Sequence, residues 1–331
     1  MTGKKHIIYT SGGGRLGNQL VNYANLCAIE MEYPGVSVIS LPFQDYSEIC
    51  SRDSPVSYVV DSDGLPNSYK HIIKHLWDGP IRTEYSRFYN ASVLHAFSIV
   101  SSKGESVIGG DTHTQLPILG REYEEIAISE ENLFQFFDGE KVSVVSGWGV
   151  RAWPLVRQYS DKIRDELQID NNYISKAEDH LSPVREESDL VLGAHIRHSD
   201  YRTWMSGQYF FPFVEYIDLL EDYVEKRHPN KNVSILVFSD EPQPVGEVDN
   251  KFKPSICQDD GAESDYPYDF AELSLCDRII GPPSTFSTFA AFLGNSPLVP
   301  IYPHVRSKGW EVLKEPLTEA KNHPHFGSAV K

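Results

Sequence analysis

The chain has 331 residues, 40 % of them hydrophobic and 23 % charged, with 18 Tyr and 16 Phe, which suits about two globular domains of ordinary size. Its formal net charge of −17 opposes nucleic acid and anionic membrane surfaces as partners, so a phosphate site here has to be made locally basic by particular arginines and backbone amides. No run nears the roughly 20 apolar residues of a membrane span. No hydrophobic leader follows Met1, and Cys27, Cys50, Cys257 and Cys276 form neither a C-x-x-C pair nor a disulfide framework, so a reducing cytoplasm is the expected setting.

In chain order, HIIYT (6–10) reads as a strand, followed by a Gly-rich turn and a helix that sets Leu16, Leu20, Tyr23, Ala24, Cys27 and Ala28 on one face. GVSVIS (35–40) is the next strand. Residues 44–140 are polar and Tyr-rich, with candidate helices near 68–76 and 121–137. KVSVVSGW (141–148) is a strand followed by a helix to about residue 167. HLSPVREESD (180–189) reads as a linker, being charged with one proline. Beyond it, DLVLGAHI (189–196) and NVSILVFSD (232–240) are buried strands. Between them Phe213, Ile217, Leu220 and Val224 mark an amphipathic helix. Residues 269–277 are helical, RIIG (278–281) is a short strand, Thr285 to Leu293 is a helix, and PLVPIY (297–302) a last strand. The alternation predicts an α/β protein of β-α-β units on parallel sheets, with ligands outside the carboxyl ends of the strands.

Four segments carry chemistry. Gly12-Gly13-Gly14-Arg15-Leu16-Gly17 fits G-x-G-x-x-G between a strand and a helix. It reads as a dinucleotide site, with Asp45 as a ribose carboxylate, or as a tight turn without a ligand. Arg15 and the polar pair Asn18-Gln19 oppose the dinucleotide reading, because small residues usually pack there. His195-Ile196-Arg197-His198-Ser199-Asp200-Tyr201 leaves an apolar strand with His195 and Arg197 on one side. Arg197 can fork onto a diphosphate, or simply pair with an aspartate as a strand cap. In Phe238-Ser239-Asp240-Glu241-Pro242, Asp240 is either a cleft carboxylate or a turn and helix cap. Asp269 to Asp277 lead into Ile279-Ile280-Gly281-Pro282-Pro283-Ser284-Thr285, where Ser284 or Thr285 caps a helix whose N-terminus favours an anion. Asp61-Ser62-Asp63 has the D-x-D form of a metal site, though Gly64 and Pro66 favour a turn.

Together GGRLGNQL (13–20), SGWGVRAWPLVRQYSDKIRDEL (146–167), HIRHSDY (195–201) and ELSLCDRIIGPPSTFSTFAAFLG (272–294) resemble the GDP-fucose-dependent fucosyltransferase superfamily, nearest its bacterial α-1,2 type. The resemblance spans 6–30, 143–167 and 189–302. It implies a GT-B architecture of two Rossmann-like domains facing a central cleft. An acceptor-side domain would cover 1–182 with an insert near 44–140, and a GDP-sugar domain 188–305. A tail, 306–331, would pack back on the first. It also implies GDP-fucose as donor substrate, a glycan acceptor, inversion, and neither cofactor nor metal. Residue by residue, Arg197 would hold the β-phosphate, His195 the guanine or ribose side, and Asp269 the guanine edge. Ser284 and Thr285 would hold phosphate oxygens, and Asp240 would stand on the donor-nucleotide side. Gly14, Arg15 and Asn18 would face the cleft from the first domain. Thr288-Phe289 stands where the family has tandem tryptophans, and Pro282-Pro283 where it has Ala-Asn, both near the donor sugar.

In the mechanism this implies, Arg197, the helix cap at Ser284–Thr285 and Arg15 meet the charge that develops on the diphosphate, Asp200 is either the base for the acceptor hydroxyl or a holder of Arg197 or Tyr201, and Asn18 completes the catalytic group. Three other readings stay open: a transferase using another GDP-sugar, an NAD(P)-dependent oxidoreductase using the Gly12–Gly17 turn, and a non-catalytic glycan-binding protein. The sequence leaves the oligomeric state open.

Overall fold

In the computed structural model, which describes residues 5–11, 15–40, 43, 46, 49–50, 106–108, 142–146, 152–259 and 266–303, the first strand and helix form as the sequence predicts. The chain divides into two units between Leu167 and Gln168. In the first unit β1 (Lys5–Ser11) passes through α1 (Leu16–Glu32) to β2 (Val36–Ser40). Leu16, Leu20, Ala24, Cys27 and Ala28 are buried, and Tyr23 stacks on Phe43 with ring centroids 4.2 Å apart. Further strands are β3 (Ser106–Ile108) and β4 (Val142–Ser146). The parallel sheet runs β2-β1-β4-β3. The expected insert therefore supplies a strand, β3, which three residues without a period could not announce. The candidate helices at 68–76 and 121–137, Gly14, Asp45, the Asp61–Asp63 turn and the tail from 306 lie outside the described residues.

Helices α2 (Trp153–Gln158) and α3 (Ser160–Glu166) return along α1. Asn25, buried in α1, donates to the Val21 carbonyl at 2.8 Å and accepts from the Ala152 N–H at 2.5 Å. That bond joins two segments far apart in sequence, and it satisfies a backbone donor at the start of α2, where Ala152 offers no capping side chain.

The second unit opens with α4 (Asn171–Glu187), which corrects the linker expected at 180–189. Asp170 caps it, its side chain accepting from the Asn172 N–H at 2.8 Å. Ala177, Leu181 and Val184 are buried on one face. Pro183 lies inside the helix without ending it. Tertiary bonds hold α4 in place: Arg185 donates to the Leu275 carbonyl at 2.6 Å, and His180 meets the buried Glu272 at 2.5 Å. Local polarity was outweighed by this packing.

There follow β5 (Leu190–Ile196), α5 (Phe213–Arg227), β6 (Val233–Ser239), β7 (Phe252–Pro254), α6 (Ile256–Asp259), α7 (Tyr266–Leu275), β8 (Arg278–Gly281), α8 (Thr285–Gly294) and β9 (Leu298–Pro300). The sheet is wholly parallel in the order β7-β6-β5-β8-β9. β5 and β6 are buried along their full length. That explains their unbroken apolar sequences, since a parallel sheet is covered on both faces. From β5 the chain first builds outward through β6 to β7. It then returns to place β8 on the other side of β5. The topological switch point is thus the pair β5–β8, and their carboxyl ends carry the two motifs already singled out.

Among the described residues, no helix is long and apolar enough to cross a membrane.

Candidate active site

The β5–β8 switch point is tight. A Cβ on Gly281 would stand 2.6 Å from the His195 carbonyl oxygen and 2.9 Å from its Cβ, so only glycine lets the strands meet here. Beyond Gly281, Pro282 and Pro283 lead to Ser284, the N-cap of α8. The Ser284 hydroxyl accepts from the Ser287 N–H at 3.3 Å and lies 3.0 Å from the Ser287 hydroxyl and 3.4 Å from His195 Nδ1. Ser287 also donates to the Pro282 carbonyl at 3.0 Å, and Thr288 to the Ser284 carbonyl at 2.6 Å. Thr288 therefore buttresses the cap from within.

His195 is buried. Burial, with the nearby Arg197 charge, pulls its pKa down from 6.5 to about 4, against a smaller opposing pull from Asp240. The imidazole is therefore neutral at physiological pH and presents one donor and one acceptor. Phe286, in the first turn of α8, sits between it and α7: its ring is 5.3 Å from His195 and 5.2 Å from Phe270. Sequence reasoning missed Phe286, since a phenylalanine behind a serine cap reads as ordinary core.

Arg197 leaves β5 and is gripped by Asp200. Nε donates to Oδ1 at 2.8 Å and Nη2 to Oδ2 at 3.0 Å, a bidentate fork. The guanidinium also lies 5.2 Å over the Tyr201 ring. Burial works against its charge, but the Asp200 carboxylate outweighs burial and raises the Arg197 pKa further. The same hydrogen bond from Arg197 holds the Asp200 carboxyl below its ordinary range.

Asp240 bonds the turn after β5 and caps no helix of its own. It accepts from the His198 N–H at 2.8 Å and the Ser199 hydroxyl at 2.5 Å, which fixes the turn carrying Arg197. Burial pushes its pKa up, but these two donors, with His195 and Arg197 nearby, bring it below the usual carboxylate value. His198 is a structural residue: Nε2 donates to the Phe211 carbonyl at 2.8 Å while Nδ1 accepts from Gln243 at 3.2 Å.

Asp269 lies in the first turn of α7, buried. Burial lifts its pKa from 3.8 to about 6, opposed by hydrogen bonds from Ser255 and Cys257. The Ser255 hydroxyl donates at 2.8 Å. One turn on, Glu272 accepts from the Ile256 N–H at 2.9 Å and meets His180, tying α7 to both α6 and α4. Sequence reasoning did not single out Glu272. In the first unit, Arg15 is exposed at the start of α1 without a capping bond, and Asn18 is half-buried one turn in. The remaining candidate, Thr285, follows Ser284 in α8, so the structure gathers His195, Arg197, Asp200, Asp240, Ser284 and Thr285 around one switch point. Among the described residues, no group of three or more His, Cys, Asp or Glu is placed to hold a metal ion.

His195 and Asp269 give this unit an unusual acid profile. A histidine at about 4 favours its neutral form in the fold. Its stabilisation is whole above about pH 6.5 and is lost as pH falls through 4. A carboxyl at about 6 favours its protonated form in the fold. Its contribution is whole below about pH 3.8 and is lost as pH rises through 6. Each effect spans about 3 kcal/mol, and they oppose one another in one window. Asp269→Asn is expected to leave the histidine unopposed. In urea titrations at stepped pH, its stability should fall by about 3 kcal/mol more than wild type between pH 6.5 and 4.

No protein-family model matches the chain, and no curated protein matches it. Solved structures do. A mutant of Arabidopsis thaliana FUT1 in complex with GDP is 13 % identical at a TM-score of 0.50, the match covering 90 % of this chain and 70 % of that one. POFUT1 in complex with GDP is also 13 % identical at a TM-score of 0.50, covering 88 % of this chain and 95 % of the other. Likeness at such identity speaks for the fold: this is an α/β chain of parallel sheets sharing the GT-B type of those two structures.

Proposed function

We propose that the chain is an inverting, metal-independent glycosyltransferase that moves L-fucose from GDP-fucose to a glycan hydroxyl. The observation that carries this is the meeting of three groups at the β5–β8 switch point: a neutral His195, the charged fork of Arg197, and the capped N-terminus of α8. The two solved structures of like fold are GDP complexes, which supports the choice of nucleotide.

Breaking the sugar–phosphate bond leaves charge growing on the diphosphate. Fixed donors must meet it, and they act best when already in place. Asp200 holds Nε and Nη2 of Arg197, and Nη1 remains to face a phosphate oxygen. The helix dipole of α8 adds partial positive charge at Ser284. Because His195 is neutral, it supplies a hydrogen bond without a competing cation. Asp269 offers the guanine edge the acceptor capacity left by Ser255 and Cys257. Arg15 is assigned to the donor nucleotide and Asn18 to the catalytic group.

The test is calorimetric titration of the full chain with GDP, UDP, CMP and NAD in EDTA. Binding of GDP alone is expected, followed by slow hydrolysis of GDP-fucose. Binding of NAD in place of GDP would return the Gly12–Gly17 turn to its dinucleotide reading. A requirement for added divalent metal would remove the metal-independent mechanism.

A further inference from the structure

The loop between β5 and α5 does something the donor site does not require. It folds into two short 3-10 turns, Asp200–Arg202 and Trp204–Gly207. Within the second, Met205, Ser206 and Gly207 are all left-handed, with φ of 46°, 61° and 72°. Two of these carry side chains that resist this conformation, and such strain persists only where surrounding structure enforces it. The same turn is exposed. Trp204 is 40 % and Met205 56 % exposed, whereas Tyr201 beneath them is buried.

The indole of Trp204 is stacked on the Tyr201 ring, with centroids 5.0 Å apart and planes 18° from parallel. Tyr209 braces it from another side at 4.9 Å. Tyr201 is the ring that carries the Arg197 guanidinium, so the exposed indole is one aromatic ring removed from the proposed phosphate site. The charges around it are matched. Arg197 is forked onto Asp200. Arg202 is forked onto Glu241 at 2.5 and 2.8 Å and lies 5.2 Å over Phe210. Burial keeps the Tyr209 hydroxyl protonated, and it pushes nearby Tyr302 up to about 12. An exposed indole braced by two aromatic rings, with phenol hydroxyls beside it, suits an uncharged polyol with one apolar side, which describes a pyranose ring.

We propose that Trp204, backed by Tyr201 and Tyr209, is a stacking platform for a neutral sugar ring of the acceptor glycan. This rests on the transferase reading for its role but not for the binding itself. A purine base or a second protein chain is the competing occupant.

The probes are lactose, cellotetraose and chitotriose, titrated by calorimetry into the full-length wild type, Trp204→Ala and Trp204→Phe, with and without GDP. At least one is expected to bind wild type, to weaken by about tenfold or more in Trp204→Ala, and to stay within about threefold in Trp204→Phe. The GDP affinity of both variants should match wild type. In parallel, the fluorescence of wild type minus that of Trp204→Phe isolates this indole, and the bound sugar should shift it. That reading stands even if Trp204→Ala fails to fold. Binding of none of the three by wild type overturns the platform. So does an unchanged sugar affinity in Trp204→Ala, an unmoved difference spectrum, or a loss confined to GDP. Sugar binding in a protein that ignores GDP would keep the platform and remove the transferase, and GDP binding without sugar binding would do the reverse.

Discussion

Arg197→Ala is expected to lower turnover of GDP-fucose by about a hundredfold or more, with a smaller loss of GDP affinity. The asymmetry follows from where its charge acts. In the ground state the diphosphate's charge is shared by both phosphates and by water. As the glycosidic bond breaks, a further charge gathers on the leaving oxygen, and a donor already aimed there gains strength. Arg197 is aimed by Asp200 through two parallel bonds and by the Tyr201 ring below. Lysine keeps the charge but has no fork, so Arg197→Lys should recover only part of the loss.

Asp200→Asn separates two roles for its neighbour. As the base for the acceptor hydroxyl, Asp200 would give kcat/KM an acidic limb that the variant loses, with kcat falling about a hundredfold or more. As the residue that orients Arg197, it would leave the shape of the pH profile intact, and the variant would fall about tenfold with a raised donor KM. The fork favours orientation, since both carboxylate oxygens are taken and Arg197 holds the carboxyl well ionised. A vanished acidic limb would restore the base.

Strands such as HIIYT and NVSILVFSD were legible because a covered parallel strand needs a short unbroken apolar run, and that need is local. The placement of His195 and Arg197 at a strand end was legible for the same reason. What stayed hidden depends on partners distant in the chain. α4 reads as a linker because Glu186, Glu187 and Pro183 are local, while its anchors, Glu272 and the Leu275 carbonyl, lie 92 and 90 residues beyond the side chains they hold. Asp240 bonds the His198 N–H, 42 residues earlier in the chain, which no local pattern announces. Phe286 gained significance only when β8 was seen to lie beside β5. Hydropathy fixes which residues go inside, whereas strand order decides which of them meet.

Gly281→Ala should separate the site from the stability of its scaffold, with Gly294→Ala as its counterpart. At Gly281 the added methyl would collide with backbone and Cβ of His195, 2.6 and 2.9 Å away. At Gly294 it would lie 1.8 Å from the Ser274 carbonyl oxygen, where α8 ends against α7. Neither contact involves a flexible side chain that could swing aside, so both substitutions must move backbone. Each should cost about 3 kcal/mol or more, the Gly294 variant losing most because its clash is deepest. Their effects on nucleotide binding should diverge. Gly294 lies at the far end of a 10-residue helix, about 15 Å along the axis from the Ser284 cap. Provided the variant is assayed well below its melting temperature, its GDP affinity should stay within about twofold of wild type. Gly281 stands between His195 and that cap, so a shift there widens the β5–β8 junction itself. Its GDP affinity should fall by about tenfold or more, beyond what the unfolded fraction explains. Equal affinities in the two folded variants would mean that GDP does not use the switch point, and that Arg197 and Ser284 only close the end of a sheet.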